Sequence, residues 1–344
     1  MKLARKILKG FARSRVFGCL ARSVECLPLR EKGLLRVLTY HRVGTPLEQP
    51  HLDPALISAT PACFERQMNW LVRDFCPVSL SEVLEAVRGG KRLPRKSVMV
   101  TFDDAYRDFF QNAFPVIRKL NLPVTLFVPT SYPDADRCFW WDRLYHSLNR
   151  ADRPLTVSTG KGRFRLVNDQ AVRPVFREIK GYLKSLRHEE LLREVDAIVQ
   201  QAGECEASPF VMSWRELSEV ARAGVELVPH TCEHPLLTRV NLERAEQEIV
   251  QSREVLRERI GRVQPAFSYP SGFFDSSIEE TLRKNDFELC FTTVRGIANL
   301  AKDNPLQIRR INVQATTPDS LIRLQLWSGM RAIQKPMRAG FPEG

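Results

Sequence analysis

The sequence holds no run of about 18 apolar residues, which removes a membrane-spanning helix from consideration. It holds no CxxC pair. Its eight cysteines stand at 19, 26, 63, 76, 138, 205, 232 and 290, a scatter that excludes zinc-ribbon spacing, argues against a disulfide framework and leaves buried thiols in a reducing compartment. No apolar core of about 7–15 residues follows the basic N-terminus, so a secretory leader is not expected and a cytoplasmic location is. Acid is in short supply: Asp+Glu number 40 against Lys+Arg 52, a net charge of +12. The excess is uneven, because residues 1–32 carry nine Lys/Arg and two Glu, a net +7. There is no internal repeat, low-complexity tract or nucleic-acid-binding motif, and no nucleic-acid partner is expected. Histidine is scarce as well, with six in the chain and none after 234.

What is present is an ordinary globular composition, 43% hydrophobic and 27% charged over 344 residues. That excludes a disordered chain and suffices for one large α/β barrel or two modest domains. Leu3, Ile7 and Phe11 fall four apart, with Lys2, Lys6, Lys9 and Arg13 around the opposite arc. The segment 1–32 therefore reads as a basic amphipathic helix, suited either to an anionic membrane surface or to packing on the domain.

From residue 33 apolar runs alternate with helical periodicity. Strands are expected at 34–40, 97–102, 124–128, 225–228, 265–269, 287–292 and 306–313, and helices at 61–75, 81–87, 106–120, 214–222, 242–260 and 276–284. Strand, helix and strand joined by short turns make a parallel sheet, either a barrel or an open doubly wound sheet. Residues 143–210 break the alternation; they are polar, basic and helix-rich with few strand signals, and read as an insertion or lid. The tail 318–344 is expected to form one more helix, with Leu321, Leu324, Trp327 and Met330 on one face and Arg323, Arg331 and Lys335 beside it. Core packing and a second interfacial contact both remain open for it.

The chemistry gathers at strand ends, where parallel α/β proteins carry their sites. Asp103-Asp104 follows the apolar run SVMVTF. His230-Thr231-Cys232-Glu233-His234-Pro235 follows a second apolar run and holds two of the six histidines. Two imidazoles four apart can point the same way if the chain makes one helical turn. One carboxylate with two imidazoles leaves a metal an open position, the pattern of a catalytic site for zinc, cobalt or nickel. The other aspartate is then a candidate general base. Cys232, between the two histidines, is a candidate ligand as well, but its spacing favours pointing away.

TFDD at 101–104, HTCEHP at 230–235 and FSYPSG at 267–272, in that order, resemble the motifs of the polysaccharide deacetylase family, the NodB-homology carbohydrate esterases. LTYHRV at 38–43, LPVTLFVPT at 122–130, FWWD at 139–142 and SWREL at 213–217 are similar to members of that family too. The resemblance spans about residues 33–315. It implies a distorted (β/α) barrel with a helical insertion and a metal-dependent hydrolase, most simply a Zn2+ enzyme, that removes an N-acetyl group from an amino sugar in bacterial polysaccharide, lipopolysaccharide or lipid-linked glycan assembly. By that resemblance Asp103 is the base, Asp104, His230 and His234 hold the metal, and the Ser271 backbone N–H steadies the oxyanion. Tyr269, Trp140, Trp141 and Asp142 become candidate substrate contacts. Core packing competes for at least one of the tryptophans, and a bond to Arg310 competes for Asp142.

Three departures stand out. The residue that usually orients the base is Arg, but Ser268 occupies its place. The late histidine that usually serves as acid is absent, with Ile311 where it would fall. Ala105 replaces a common Gly. His41, at the end of the first strand, is the candidate substitute acid. Arg310, with Arg309 as the alternative, is the candidate partner of Asp103. A deformylase or other amidohydrolase on the same centre, and a sugar-binding protein that has kept the fold without catalysis, remain competing readings.

Overall fold

Runs such as LLRVLTY, SVMVTF and VTLFV are buried along their whole length, as strands of a parallel sheet covered on both faces must be. A computed structural model describes residues 33–203 and 209–334. The basic segment 1–32 and the end of the tail thus lie outside the described residues. The barrel wall consists of seven parallel strands: β1 (Leu34–Tyr40), β2 (Ser97–Phe102), β3 (Val124–Val128), β4 (Glu226–Pro229), β5 (Ala266–Ser268), β6 (Leu289–Arg295) and β7 (Ile308–Asn312). They pair in the order β5-β6-β7-β1-β2-β3-β4. The two ends of that order, β4 and β5, are linked at their carboxyl ends by His230 Nδ1, which donates to the Ser268 carbonyl at 2.7 Å. The sheet is a nearly closed barrel rather than an open doubly wound sheet.

Side-chain alternation decides what faces the barrel axis. Leu35, Val37, Met99, Phe127, Val228, Ala266, Leu289, Phe291 and Ile308 form one inner cluster. Leu34, Leu38, Val98, Val100, Val124, Leu126 and Leu227 take the other parity and pack beneath the outer helices. The helix Leu80–Val87 plugs the lower end of the barrel with Leu80, Val83 and Leu84. The helices start at the caps the sequence provides: Thr60 ahead of Pro61, capping boxes at Ser79–Glu82 and Ser213–Glu216, and Asn241 and Asp275.

Several expectations need correction. Residues 109–113 form a π-helical turn before the helix Phe114–Lys119, so the 106–120 segment is not one regular helix. The insertion is not purely helical. After α1 (Trp140–Arg150) it forms an antiparallel hairpin, Leu155–Thr159 with Gly162–Leu166, and then α2 (Val172–Leu183) and α3 (His188–Ala202). It forms a hydrophobic cluster that includes Leu144, Val157, Leu166, Phe176, Ile179 and Val195 and runs on into Leu52, Tyr106 and Tyr132 of the barrel. The C-terminal helix ends at Leu326 and buries Ile322 and Leu326, not the face drawn through Leu321, Leu324 and Trp327. Among the described residues no helix is long and apolar enough to cross a membrane.

Candidate metal and catalytic centre

The inward parity of the strands continues into the loops above them. Thr39 and Thr101 meet at 3.3 Å between their hydroxyls. Asp103, two residues beyond Thr101, is the next inward position. His230 and Arg310 carry on the inward series of Val228 and Ile308, and Phe127 forms the floor, its ring 5.5 Å from the Arg310 guanidinium and 6.2 Å from the His230 ring. The sequence alone left Arg309 and Arg310 as alternatives, and parity separates them. Arg310 donates to both oxygens of Asp103, at 2.7 and 2.8 Å, and through Nε to the Thr292 carbonyl. Arg309 takes the opposite face and donates to the Arg295 carbonyl. An arginine from the last strand thus stands where Ser268 cannot serve. Burial pushes the Asp103 carboxyl up, but Arg310, helped by His41, outweighs it and holds the group below its usual range.

Asp104, His230 and His234 converge as a buried trio whose ligand atoms lie within 4.8 Å of one another. His230 Nε2 is 3.6 Å and His234 Nε2 3.4 Å from Asp104 Oδ1. Since His230 donates its Nδ1–H to a carbonyl, its Nε2 presents a lone pair toward that carboxylate oxygen. Burial pulls both imidazoles down toward the neutral form, and for His234 the neighbouring His230 and Lys184 add to the effect. Burial, Asp103 and Asp142 push Asp104 well up. Asp104 Oδ1 is buried without a hydrogen-bond donor. An oxygen with no donor, faced by two neutral imidazole nitrogens, is a donor set that a divalent cation fits.

The loops that hold these groups rely on left-handed backbone. Asp104 (φ 71), Ala105 (φ 52), Thr231 (φ 67), His234 (φ 57) and Ser271 (φ 54) all have positive φ. The Ala105 departure therefore places a Cβ where glycine is easier, at a cost of about 1–2 kcal/mol. The HTCEHP loop is held by a residue the sequence reading missed. Glu248, buried on the helix Leu242–Ile260, accepts from the backbone N–H groups of Cys232 and Glu233. Its signal was an acid on the apolar face of that helix, beside Ala245 and Ile249. Cys232 turns its Sγ toward the Glu248 carbonyl, away from the trio, as expected.

His41 sits at the mouth of the site, its side chain 19% exposed and its Nε2 4.0 Å from Asp103 Oδ2. Burial, reinforced by Arg310 and opposed by Asp103, lowers it to about 4. Ser271 lies at the rim, where its hydroxyl accepts from Lys184 Nζ at 2.9 Å and its carbonyl from the Thr293 hydroxyl.

The four candidate substrate contacts have other tasks. Tyr269 has outward parity. It is fully buried and donates its hydroxyl to the Leu306 carbonyl, so it belongs to the core. Asp142 does not reach Arg310; it accepts from the Asp53 N–H and the Tyr106 hydroxyl. Trp141 donates to Tyr106, stacks on Phe139 and meets the His234 ring edge-on at 4.8 Å. Trp140 packs against Trp141. Both tryptophans are buried, and Trp141 with Phe139 lines the wall behind His234. Sequence reasoning also missed Lys180 and Lys184 of the insertion. Their signal was spacing, two lysines four apart at the end of a helix whose apolar face is Phe176, Ile179 and Leu183.

A nearly closed parallel barrel carries at its mouth a paired aspartate and an Asp-His-His trio that could hold a metal ion. A model of the polysaccharide deacetylase family matches residues 90–290, more than half of the chain, and the chain belongs to that family of hydrolases acting on carbon–nitrogen bonds. It is 34% identical over 87 residues to the poly-beta-1,6-N-acetyl-D-glucosamine N-deacetylase of Escherichia coli K12, a match that spans 25% of this chain and 12% of that protein. It is 36% identical over 128 residues to the protein of the same name from Staphylococcus epidermidis, covering 35% of this chain and 42% of the relative. The match thus spans less than half the length of either relative. Among solved structures, Streptococcus pyogenes deacetylase PplD in complex with acetate superposes with a TM-score of 0.57 at 18% identity, over 85% of this chain and 98% of that one. IcaB from Ammonifex degensii superposes with a TM-score of 0.55 at 21% identity, over 86% and 97%. These two likenesses show the fold.

Proposed function

We propose that this chain is a divalent-metal-dependent N-deacetylase that hydrolyses the acetamide of N-acetylglucosamine-type polymers or of related amino sugars on lipid-linked glycans. The observation that carries this reading is the Asp104-His230-His234 trio beside an Asp103 clamped by Arg310. A divalent cation held by Asp104, His230 and His234 supplies, when bound, polarisation of an acyl carbonyl and acidification of water. The rest falls to side chains and backbone. Asp103, kept ionised and fixed in orientation by Arg310, accepts a proton from the attacking water. The Ser271 N–H donates to the acyl oxygen as negative charge develops on it. His41, neutral at pH 7 because burial keeps it near 4, passes to the departing nitrogen the proton that Asp103 has collected. The carbon–nitrogen bond breaks, leaving acetate and a free amine. The net +7 of residues 1–32 supports an anionic membrane surface as the working place, which co-sedimentation with anionic vesicles before and after removal of 1–32 would test.

The test of the site is metal content together with acetate release. Purified protein supplied with zinc or cobalt should hold about one ion per chain, lose it in Asp104→Ala and His234→Ala, and release acetate from poly-N-acetylglucosamine oligomers. A wild-type protein that retains no ion would overturn the reading and favour a sugar-binding role. Release of formate from N-formyl sugars in place of acetate would move the assignment to a deformylase.

A further inference from the structure

The insertion does more than cover the mouth of the barrel. Lys180 and Lys184, one helical turn apart at the end of α2, both reach loops of the barrel. Lys180 pairs with the buried Asp53 at 2.9 Å, and its ammonium lies over the rings of Phe176 and Trp141. Lys184 is different. Its Nζ donates to a neutral group, the Ser271 hydroxyl, at 2.9 Å, and among the described residues no carboxylate forms an ion pair with it. It stands close enough to the trio to depress His234 and to interact with Asp104. Burial and Lys180 draw it down to about 7, against Asp104 and Asp53. A buried amine whose hydrogen bond goes to a neutral hydroxyl, on the side of a trio suited to a divalent cation, is poorly compensated when it carries its proton. The arrangement improves when a negative charge enters between the two. The place where that charge would sit is given by Ser271, the residue whose N–H is assigned to the acyl oxygen.

We infer that Lys184 is a substrate-binding residue delivered by the insertion, and that it donates to the acyl oxygen, and afterwards to the acetate carboxylate, alongside the Ser271 N–H. This rests on the deacetylase reading for its substrate and on the Lys184–Ser271 contact for its position. The polymer is thus gripped on one side by the barrel and, at the acyl end, by the insertion. A fixed donor aimed at an oxygen that gains charge during reaction acts on turnover more than on sugar binding.

The experiment uses the zinc-loaded full chain. Lys184→Met should lower kcat at least tenfold with KM little changed, and should weaken both acetate inhibition and calorimetric acetate binding at least tenfold. Bound zinc and thermal stability should stay at wild-type levels, and Lys184→Arg should recover part of the acetate binding. Lys161→Met, which removes an exposed pair with Glu178 in the same insertion, should change none of these. The inference is overturned if Lys184→Met binds acetate and turns over as wild type does, or if it loses zinc in proportion to activity. A wild type that binds acetate through Lys184 but releases none from any N-acetyl sugar would sink the deacetylase reading and leave the acetate site standing.

Discussion

Replacing Arg310 with methionine isolates what the guanidinium does for Asp103. The side chain makes two hydrogen bonds to the carboxylate and one to the Thr292 carbonyl, all at 2.7–2.8 Å and all buried. Methionine fills much of the stem volume over Phe127 but leaves Asp103, 3% exposed, as a buried anion without its partner. Loss of one member of such a pair costs about 3–5 kcal/mol of stability. The same change frees the orientation of the base and raises its pKa, and a general base contributes about 10²–10⁴ in rate. A cycle of Arg310→Met, Asp103→Asn and the double variant separates the two effects. In urea unfolding, the double variant should recover most of the stability lost in Arg310→Met, because no stranded charge remains. In acetate release, Arg310→Met should lose about 10²-fold or more, yet change little when added to Asp103→Asn. Simple additivity in both measurements, with Arg310→Met retaining near wild-type turnover, would refute the clamp.

His41→Gln should keep its bound metal and lose about 10²-fold in kcat; unchanged turnover would remove His41 from the proton path. Gly272→Ala should misplace the Ser271 loop, because φ is +76° and an added Cβ would lie 2.0 Å from Thr293 Oγ1 and 2.7 Å from the Thr293 backbone nitrogen. A loss of about 1–3 kcal/mol with reduced acetate binding is expected, and a variant as stable as wild type would contradict the close approach. Asp74 is held low by Arg73 and then by Arg323, against the opposing effect of burial. Its folded pKa is depressed, so the stability it contributes is present above its unfolded pKa, about 4, and is lost as pH falls through the folded value. Asp74→Asn should therefore cost about 0.5–1 kcal/mol near pH 7, with the gap to wild type narrowing as pH falls below about 4; a constant gap would count against the pairing.

The grouping of the centre's residues was legible in the sequence because they stand in short runs next to apolar strands: Asp103-Asp104 after β2, and His230 with His234 after β4. The alternating strand–helix periodicity was legible too, down to the helix 242–260, whose caps Asn241 and Gly261 stand at its ends. Barrel closure was not, since periodicity is silent on whether β4 and β5 meet. The choice between Arg309 and Arg310 depends on strand parity, which is fixed only once β7 pairs with β1 through Leu38 and Ile311. Tyr269 misled because its motif neighbours face the site while its own parity sends it outward. The hairpin 155–166 escaped notice although Leu155 and Val157, and Phe164 and Leu166, alternate with polar residues, because each run is only five residues long and sits inside a basic, helix-rich segment. Lys184 and Glu248 act across the fold from distant elements, and spacing in sequence carries little trace of that.

The alternation that aims Arg310, His230 and Asp103 inward has a consequence for how this chain can change over generations. Loss of a single residue within β7 ahead of Arg310 would turn Arg310 out of the barrel and bring Ile311 in, ending the clamp in one genetic step even if the strand still formed. The hairpin 155–166 and the turns around it carry no such phase relation to the centre and can lengthen or shorten freely. Variation in length should therefore collect in the insertion, while the strands that carry the catalytic groups tolerate substitution but not frame shifts of pairing.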